Sequence, residues 1–153
     1  MITVNEVMTT NVISLSPHDT VLKAADIMTK HNIRHIPVVS TKNQVVGIVS
    51  QRDVLRSGAL SWSTDHKNEN SGQQEIAEIM SKGTLSTHPK DSLRAAGLTL
   101  QKHKYGCLPV VENGLLVGII TDTDFVSVAI NLIEEKDSLE EEEIEEIEKI
   151  QMD

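Results

Sequence analysis

The sequence contains few aromatic residues and a single cysteine. Trp62, Tyr105 and Phe125 are the three aromatic residues among 153, and Cys107 is the cysteine. A hydrophobic core must therefore be built from aliphatic side chains, and an internal disulfide is excluded. A lone cysteine is typical of proteins that work in a reducing compartment.

Long hydrophobic runs are also missing. No apolar stretch approaches the roughly 20 residues that a membrane-spanning helix needs. Residues 1–6 have neither the basic region nor the apolar region of an export signal. We therefore expect a cytoplasmic protein that makes no membrane contact.

Basic residues are scarce relative to acidic ones, and the imbalance lies at one end. The net charge is −9, from 23 acidic and 14 basic residues. Residues 134–153 hold 11 of the acidic and two of the basic residues, so 1–133 is formally neutral. A nucleotide anion is not repelled by this neutral part, since the distant charge is screened by salt. Duplex nucleic acid requires a basic stripe that the sequence lacks, so no nucleic-acid partner is expected.

Several short strings of residues occur twice in the same order. The strings of the first copy are Pro17-x-Asp19, His31, Ile36-Pro37-Val38-Val39 and Gly47-Ile48-Val49-Ser50-x-x-Asp53. Those of the second copy are Pro89-x-Asp91, His103, Leu108-Pro109-Val110-Val111 and Gly118-Ile119-Ile120-Thr121-x-x-Asp124. So long a repeat in so short a chain indicates two copies of one unit, each too small to bury its apolar face. We expect them to pack about a pseudo-two-fold axis, with the functional groove between them.

Both copies predict the same order of elements. A short extended segment (11–15 or 84–87) precedes a helix that Thr20 or Ser92 caps. A strand, a hairpin and a returning strand follow, and a second helix begins near Ser50 or Thr121. The order β-α-β-β-α indicates an α+β fold with α/β character, in which helices cover the sheets.

The chain divides into four segments by pattern and composition. We assign the first repeat to 1–57 and the second to 75–133, with a flexible polar linker that carries Trp62 at 58–74. An acidic helical tail follows at 134–153. Lys136-Asp137-Ser138 predicts a break in the helix after about Glu135 and a new helix start at Ser138, since Ser138-x-x-Glu141 forms a capping box. The tail is either a frayed, solvated helix or one that docks along another subunit.

The repeated pattern Ser50-x-x-Asp53 and Thr121-x-x-Asp124 has two interpretations. It is a capping signature, which stabilises a helix by about 1 kcal/mol. Because both copies follow an apolar strand that starts with glycine, a binding role is also indicated. The carboxylate can accept both hydroxyls of a ribose, while the Ser or Thr hydroxyl and free backbone N–H groups face a phosphate. The roles are compatible because a carboxylate has two oxygens.

Metal and catalytic motifs are not found. The six histidines do not show the spacing of a zinc motif. His31 and His103 occupy equivalent helix ends, which favours a structural role. Cys107 has no paired base, and neither a nucleophile elbow nor a Walker loop occurs. We therefore expect no metal, no catalytic residue and no catalytic cofactor, and hence no enzyme.

The repeated motifs resemble those of the cystathionine β-synthase (CBS) domain family, in the tandem arrangement called a Bateman module. The resemblance covers about residues 5–130 and rests on the strings given above, including His35 before Ile36-Pro37. It implies that paired CBS repeats bind an adenine nucleotide (AMP, ADP or ATP), or a related adenosine compound, in two clefts. It also implies that Asp53 and Asp124 each hold a ribose.

The resemblance assigns residues from both repeats to each cleft. The Asp53 cleft is expected to comprise Arg34, His35, Ile48, Ser50, Arg52, Asp53, Leu85, Tyr105 and Gly106. The Asp124 cleft is expected to comprise Met8, Thr9, Ile13, Ile33, Arg34, Ile119, Thr121, Thr123 and Asp124.

The two clefts differ in their possible phosphate donors. Gly106-Cys107 stands where the first copy has Arg34-His35, and Thr123 stands where it has Arg52. We therefore expect the Asp53 cleft to prefer charged nucleotides. The Asp124 cleft is expected to be empty or to prefer a less phosphorylated adenosine compound.

These observations predict a regulatory, ligand-sensing module. Binding of an adenine nucleotide would shift the population of arrangements of the repeats and so modulate an unidentified partner protein. Two-fold character also favours a homodimer. The alternative is a dimerisation or interaction scaffold that binds no ligand and whose acidic tail docks a partner.

Overall fold

The computed structural model describes residues 1–59 and 73–152. The first repeat contains α1 (Val21–His31), β1 (His35–Val39), β2 (Val45–Ser50) and α2 (Gln51–Arg56). The second contains α3 (Leu93–His103), β3 (Cys107–Glu112), β4 (Leu115–Thr121) and α4 (Asp122–Gln151). Single 3₁₀ turns at Val4–Glu6 and Ile76–Glu78 precede α1 and α3. Most of the predicted linker, with Trp62 and His66, lies outside the described residues.

Helices α1 and α3 have the predicted caps. Thr20 Oγ1 accepts a hydrogen bond from the Lys23 N–H at 3.2 Å, and Ser92 Oγ accepts one from the Ala95 N–H at 3.0 Å. Each helix ends before a residue in the left-handed region, Asn32 or Lys104. The last turns therefore contain His31 and His103, as the sequence predicts.

Each repeat contains one hairpin. β1 pairs with β2 in antiparallel register, and β3 pairs with β4. Asn113 and Gly114 join β3 to β4 with φ of 53° and 79°, as a primed turn requires. The predicted first strand is shorter than expected, since only one residue of each extended segment pairs. These residues are Leu15, in parallel with Val38, and Thr87, in parallel with Val110.

The repeats exchange their N-terminal segments, residues 2–9 and 74–81. In each direction, backbone N–H groups of the 3₁₀ turn donate to carbonyls of the other repeat's Pro-x-Asp motif. The four hydrogen bonds, each 2.9 Å long, run from Val4 to Asp91, from Asn5 to Pro89, from Ile76 to Asp19 and from Ala77 to Pro17. This reciprocal exchange confirms the predicted pseudo-two-fold relationship between the repeats.

The exchanged segments also complete the hydrophobic cores. Ile76, which belongs to the second repeat, is fully buried in a cluster with Leu15, Met28 and Val49 of the first repeat. Burying an isoleucine of this kind stabilises a fold by about 1.5–3 kcal/mol. The first repeat therefore depends on the second for part of its own core.

The chain forms two compact units, Met1–Ile120 and Thr121–Asp153. The second unit consists largely of α4, which continues without interruption for 30 residues. The predicted break near Ser138 is wrong, because Ser138 Oγ donates to the Glu134 carbonyl at 3.0 Å within the helix. Along the described chain, no helix has the length and apolarity to cross a membrane.

Candidate functional site

Asp53 and Ser50 form a reciprocal capping box at the start of α2. The Ser50 N–H donates to Asp53 Oδ2 at 2.8 Å, and the Asp53 N–H donates to Ser50 Oγ at 3.1 Å. Both residues are half-buried. Asp53 Oδ1 has no hydrogen-bond partner among the described residues. One carboxylate oxygen thus holds the helix start while the other stays available to a ligand.

Two arginines belong to segments that adjoin this capping box. The Arg34 carbonyl accepts a hydrogen bond from the Gln51 N–H at 2.8 Å, which ties the residue before β1 to the start of α2, and Arg52 is the residue before Asp53. Arg34 and Arg52 are exposed, and neither forms an ion pair within 1–59 or 73–152. Arginines without an internal ion pair, on segments that adjoin a carboxylate, suit a ligand with both hydroxyls and an anionic group.

His35 and Gly106 are in direct contact, although they come from different repeats. A methyl group on Gly106 would lie 2.5 Å from His35 Nε2, so the imidazole occupies that space. Tyr105 is half-buried and stacks on His103, with 5.3 Å between ring centroids. Leu85 is exposed. The structure therefore brings together His35 and Gly106, while the assignment of Tyr105 and Leu85 to the cleft stays a prediction.

Sequence reasoning missed the part of the exchanged segment that contacts β2. Ile48 is buried and exchanges two backbone hydrogen bonds with Ser81, at 3.0 and 2.9 Å. A methyl group on Gly47 would lie 2.7 Å from the Ser81 carbonyl oxygen and 2.8 Å from Met80 Sδ. Met80 is identical to Met8 at the equivalent position of the first copy. The sequence analysis placed Met8 and Thr9 in one cleft with Ile119. The identity of Met8 and Met80 could therefore have placed Met80 and Ser81 beside Ile48, the equivalent of Ile119.

The same contact recurs with the repeats reversed. Ile119 is buried and exchanges backbone hydrogen bonds of 3.0 and 2.9 Å with Thr9. A methyl group on Gly118 would lie 2.7 Å from Met8 Sδ. Three residues predicted for the Asp124 cleft therefore meet within the first unit, namely Met8, Thr9 and Ile119.

Two other residues predicted for that cleft have a structural role. Ile13 and Ile33 are half-buried and pack against the hydrophobic cluster of the first repeat. Cys107 is buried in a small cluster with Ile48 and Ile119, against which Val12 packs. This apolar surrounding is typical of a structural thiol.

Within the second unit, Thr121 and Asp124 form a different hydrogen-bond network. The Thr121 N–H donates to Asp124 Oδ2 at 2.8 Å, as in the first copy. The Thr121 hydroxyl, however, contacts the Thr123 hydroxyl at 2.8 Å and Asp124 Oδ2 at 3.2 Å. The Thr121 hydroxyl thus contacts two side-chain oxygens, whereas Ser50 Oγ accepts from a backbone N–H, and the second motif has Thr123 where the first has Arg52. How Thr121, Thr123 and Asp124 combine with residues of the first unit stays a prediction.

The Asp side chains of the two Pro-x-Asp motifs are structural. Asp91 Oδ2 accepts hydrogen bonds from the His88 N–H and the Thr87 hydroxyl, both at 2.9 Å, which lower the pKa of Asp91. Burial raises the pKa of Asp19, but hydrogen bonds from Ser16 and Lys23 outweigh it and the net shift is downward. Each carboxylate thus holds the turn whose carbonyls receive the exchanged segment.

A metal centre is not evident in the described part of the chain. No three His, Cys, Asp or Glu side chains within 1–59 and 73–152 are grouped so that they could hold a metal ion.

Comparison with known proteins places this geometry in a family. The profile of the CBS domain matches residues 4–59 and again 76–131. CBS domain-containing protein YhcV of Bacillus subtilis is 34% identical over 120 residues, which cover 78% of this chain and 80% of that protein. The crystal structure of a candidate acetoin utilization protein (AcuB) from Vibrio cholerae has a TM-score of 0.77 and 38% identity. The matched region covers 90% of this chain and 97% of the Vibrio cholerae chain.

A ligand is present in another similar structure. CBSX2, crystallised in complex with AMP, has a TM-score of 0.73 and 25% identity, over 86% of this chain and 98% of that one.

Longer proteins also contain a similar region. The homoserine O-acetyltransferase of Methanococcus vannielii is 35% identical over 119 residues, which are 77% of this chain and 23% of that enzyme. This chain thus spans about a quarter of the length of such relatives.

The duplicated motif, the reciprocal exchange and the two profile matches agree. The chain therefore belongs to the CBS domain family, in which it forms a tandem pair of CBS domains.

Proposed function

We propose that this CBS pair is a regulatory module that binds an adenine nucleotide in the cleft of Asp53 and modulates a partner protein. The observation that carries the proposal is the capping box of Ser50 and Asp53. Its second carboxylate oxygen is free to accept a ribose hydroxyl. Arg34, whose carbonyl pairs with Gln51, and Arg52, which precedes Asp53, form no ion pair among the described residues. The AMP complex of CBSX2, a CBS pair 25% identical to this chain, supports this choice of ligand.

The arginine side chains supply the preference for a charged nucleotide. Arg34 and Arg52 are exposed and carry no ion pair within the described residues, so no internal partner must be displaced. A charge-assisted hydrogen bond to a phosphate contributes roughly 1.5–3 kcal/mol. We propose AMP, ADP or ATP for this cleft.

The Asp124 motif is proposed to hold a less phosphorylated adenosine compound or nothing. Its hydroxyl is already engaged by Thr123 and Asp124, and Thr123 replaces a guanidinium group.

The module is proposed to act through its ligand and not by catalysis. Ligand binding stabilises one arrangement of the two repeats over others, and a partner protein recognises the stabilised arrangement.

We further propose a cytoplasmic homodimer without nucleic-acid or membrane partners. Exposed leucines on α1 and α3, Leu22 and Leu98, are available to an interface between copies. Native mass spectrometry of untreated protein would report the number of chains and any co-purified compound.

Thermal unfolding in the presence of candidate ligands tests the proposal. AMP, ADP, ATP and S-adenosylmethionine are added separately, and the midpoint of unfolding is compared with that of untreated protein. A ligand at 100 times its Kd stabilises the folded state by about 2.7 kcal/mol, which raises the midpoint measurably. Asp53→Ala protein should lose this shift. If none of the four compounds moves the midpoint, the scaffold alternative is favoured.

A further inference from the structure

The second half of α4 exposes an apolar stripe. Leu139, Ile144, Ile147 and Ile150 are 54%, 56%, 55% and 74% exposed, and α4 has no buried residue along its described length. A row of isoleucines on a helix normally packs against another surface, because each square ångström of apolar surface left in water costs about 25 cal/mol. Nothing in the proposed nucleotide site uses this stripe.

The spacing places these four side chains on one face. With 3.6 residues per turn, they occupy an arc of about 140° and a length of about 16 Å. Three turns of an amphipathic helix are enough to cover a face of this size. Glu140 and Glu143 also lie within this arc and separate Leu139 from the isoleucines. Ile144, Ile147 and Ile150 therefore form a slanted row at i, i+3 and i+6, with Glu143 and Glu146 on one side and Glu148 on the other.

The charge of this segment is almost uncompensated. Residues 134–153 have 11 acidic and two basic residues. Along the described part of α4, the one recorded ion pair is Lys136 with Glu140, at 3.8 Å. A second copy of the stripe would bring one formal charge of −9 against another, which like-charge repulsion opposes. A cationic partner would be attracted by this charge and not repelled.

We propose that the stripe formed by Ile144, Ile147 and Ile150 docks a basic amphipathic helix of another protein. Apolar side chains of the partner would cover the isoleucines, and lysine or arginine on both sides of its apolar face would meet the acidic edges. This helix-on-helix contact does not depend on the nucleotide site. The partner helix is expected to have apolar residues at i, i+3, i+4 and i+7, with basic residues between them.

Labelled synthetic peptides of 18 residues test the proposal with the full chain, by fluorescence anisotropy. One peptide has leucines at the spacing above and lysines elsewhere, and a second has the same composition with leucines spread around all faces. The variant Ile144→Gln/Ile147→Gln removes apolar contact without changing charge, and glutamine keeps the helix. Met152→Gln is its matched control, since Met152 is 87% exposed and lies outside the arc. Circular dichroism verifies that all variants remain helical.

We expect the amphipathic peptide to bind at least tenfold more tightly than the rearranged one, and to become helical on binding. The double variant should bind it at least tenfold more weakly, and Met152→Gln within twofold of the unchanged chain. Equal binding of both peptides would overturn the proposal, because a merely acidic surface would explain it. Self-association of the peptide-free chain that the double variant abolishes would instead assign the stripe to a second copy.

Discussion

The imidazole of His35, in the first repeat, lies over the α-carbon of Gly106, in the second. The two repeats therefore contact each other here through different residue types. Nε2 of His35 would be 2.5 Å from a methyl group on Gly106. The residue equivalent to His35 in the second copy is Cys107, and the one equivalent to Gly106 in the first is Arg34. The equivalent positions therefore differ in bulk and charge, which supports the proposal that the two clefts differ in ligand preference.

Gly106→Ala should displace the His35 ring and disturb the Asp53 cleft. Gly106 is not in the left-handed region, so the added methyl group acts by steric overlap alone. We expect a loss of about 1–3 kcal/mol in the free energy of unfolding. Combination with His35→Ala should recover most of that loss, as a double-mutant cycle by urea unfolding would measure. Equal losses with and without His35 would contradict the contact.

Gly47→Ala tests the exchange of N-terminal segments. The new methyl group meets the Ser81 carbonyl oxygen, a backbone atom that cannot move without breaking its pairing with Ile48. The free energy of unfolding should fall by about 1–3 kcal/mol. Val46→Ile adds a methylene at the neighbouring exposed position and should change it by less than about 0.5 kcal/mol. Similar effects of both changes, by urea unfolding, would argue against a segment crossing at Gly47.

Asp91→Asn should remove a part of the stability that depends on pH. The pKa of Asp91 is lowered in the folded state, so its carboxylate stabilises the fold above the unfolded pKa of about 3.9. This stabilisation is lost as the pH falls through the lowered folded pKa. At pH 7 the variant should be less stable by about 1 kcal/mol or less, because the side chain is largely exposed.

The check on Asp91 is the difference in thermal midpoint between the two proteins across pH. This difference should be constant from about pH 5 to 7 and should shrink below about pH 4. A difference that grows on acidification would show that the carboxylate is not held in its charged form.

Arg52→Thr makes the first motif resemble the second. Loss of one charge-assisted hydrogen bond should weaken ATP binding about ten- to a hundredfold and leave adenosine binding unchanged. Arg56→Ala, near the end of the same helix, is the matched control and should bind both as the unchanged chain does. A parallel loss of adenosine and ATP affinity, by calorimetry, would mean that Arg52 supports the fold of the site and not the phosphate.

Much of the local structure is predictable because it has a side-chain signature. Thr20 and Ser92 cap their helices, Asn113 and Gly114 make the predicted turn, and Ser50 begins the second helix of the first repeat. Each of these depends on the short-range preferences of a few residue types. The order of elements follows from them.

The exchange of segments could not be predicted in the same way. Its hydrogen bonds join backbone groups, such as the Val4 N–H and the Asp91 carbonyl, which every residue type can supply. The continuity of α4 was also missed. Ser138 suits a cap and a helix interior alike, and the bond from its hydroxyl to the Glu134 carbonyl is available only once the helix is formed. Long-range backbone pairing decides the exchange of segments, and the formation of the surrounding helix decides the state of Ser138.

Calorimetric titration of AMP into the unchanged chain and into Asp53→Ala and Asp124→Ala proteins tests the central claim most directly. We expect the unchanged chain to bind AMP, the Asp53→Ala protein to lose at least tenfold in affinity, and the Asp124→Ala protein to bind nearly as well as the unchanged chain. Unchanged AMP affinity after loss of the Asp53 carboxylate, or equal losses in both variants, would contradict the account.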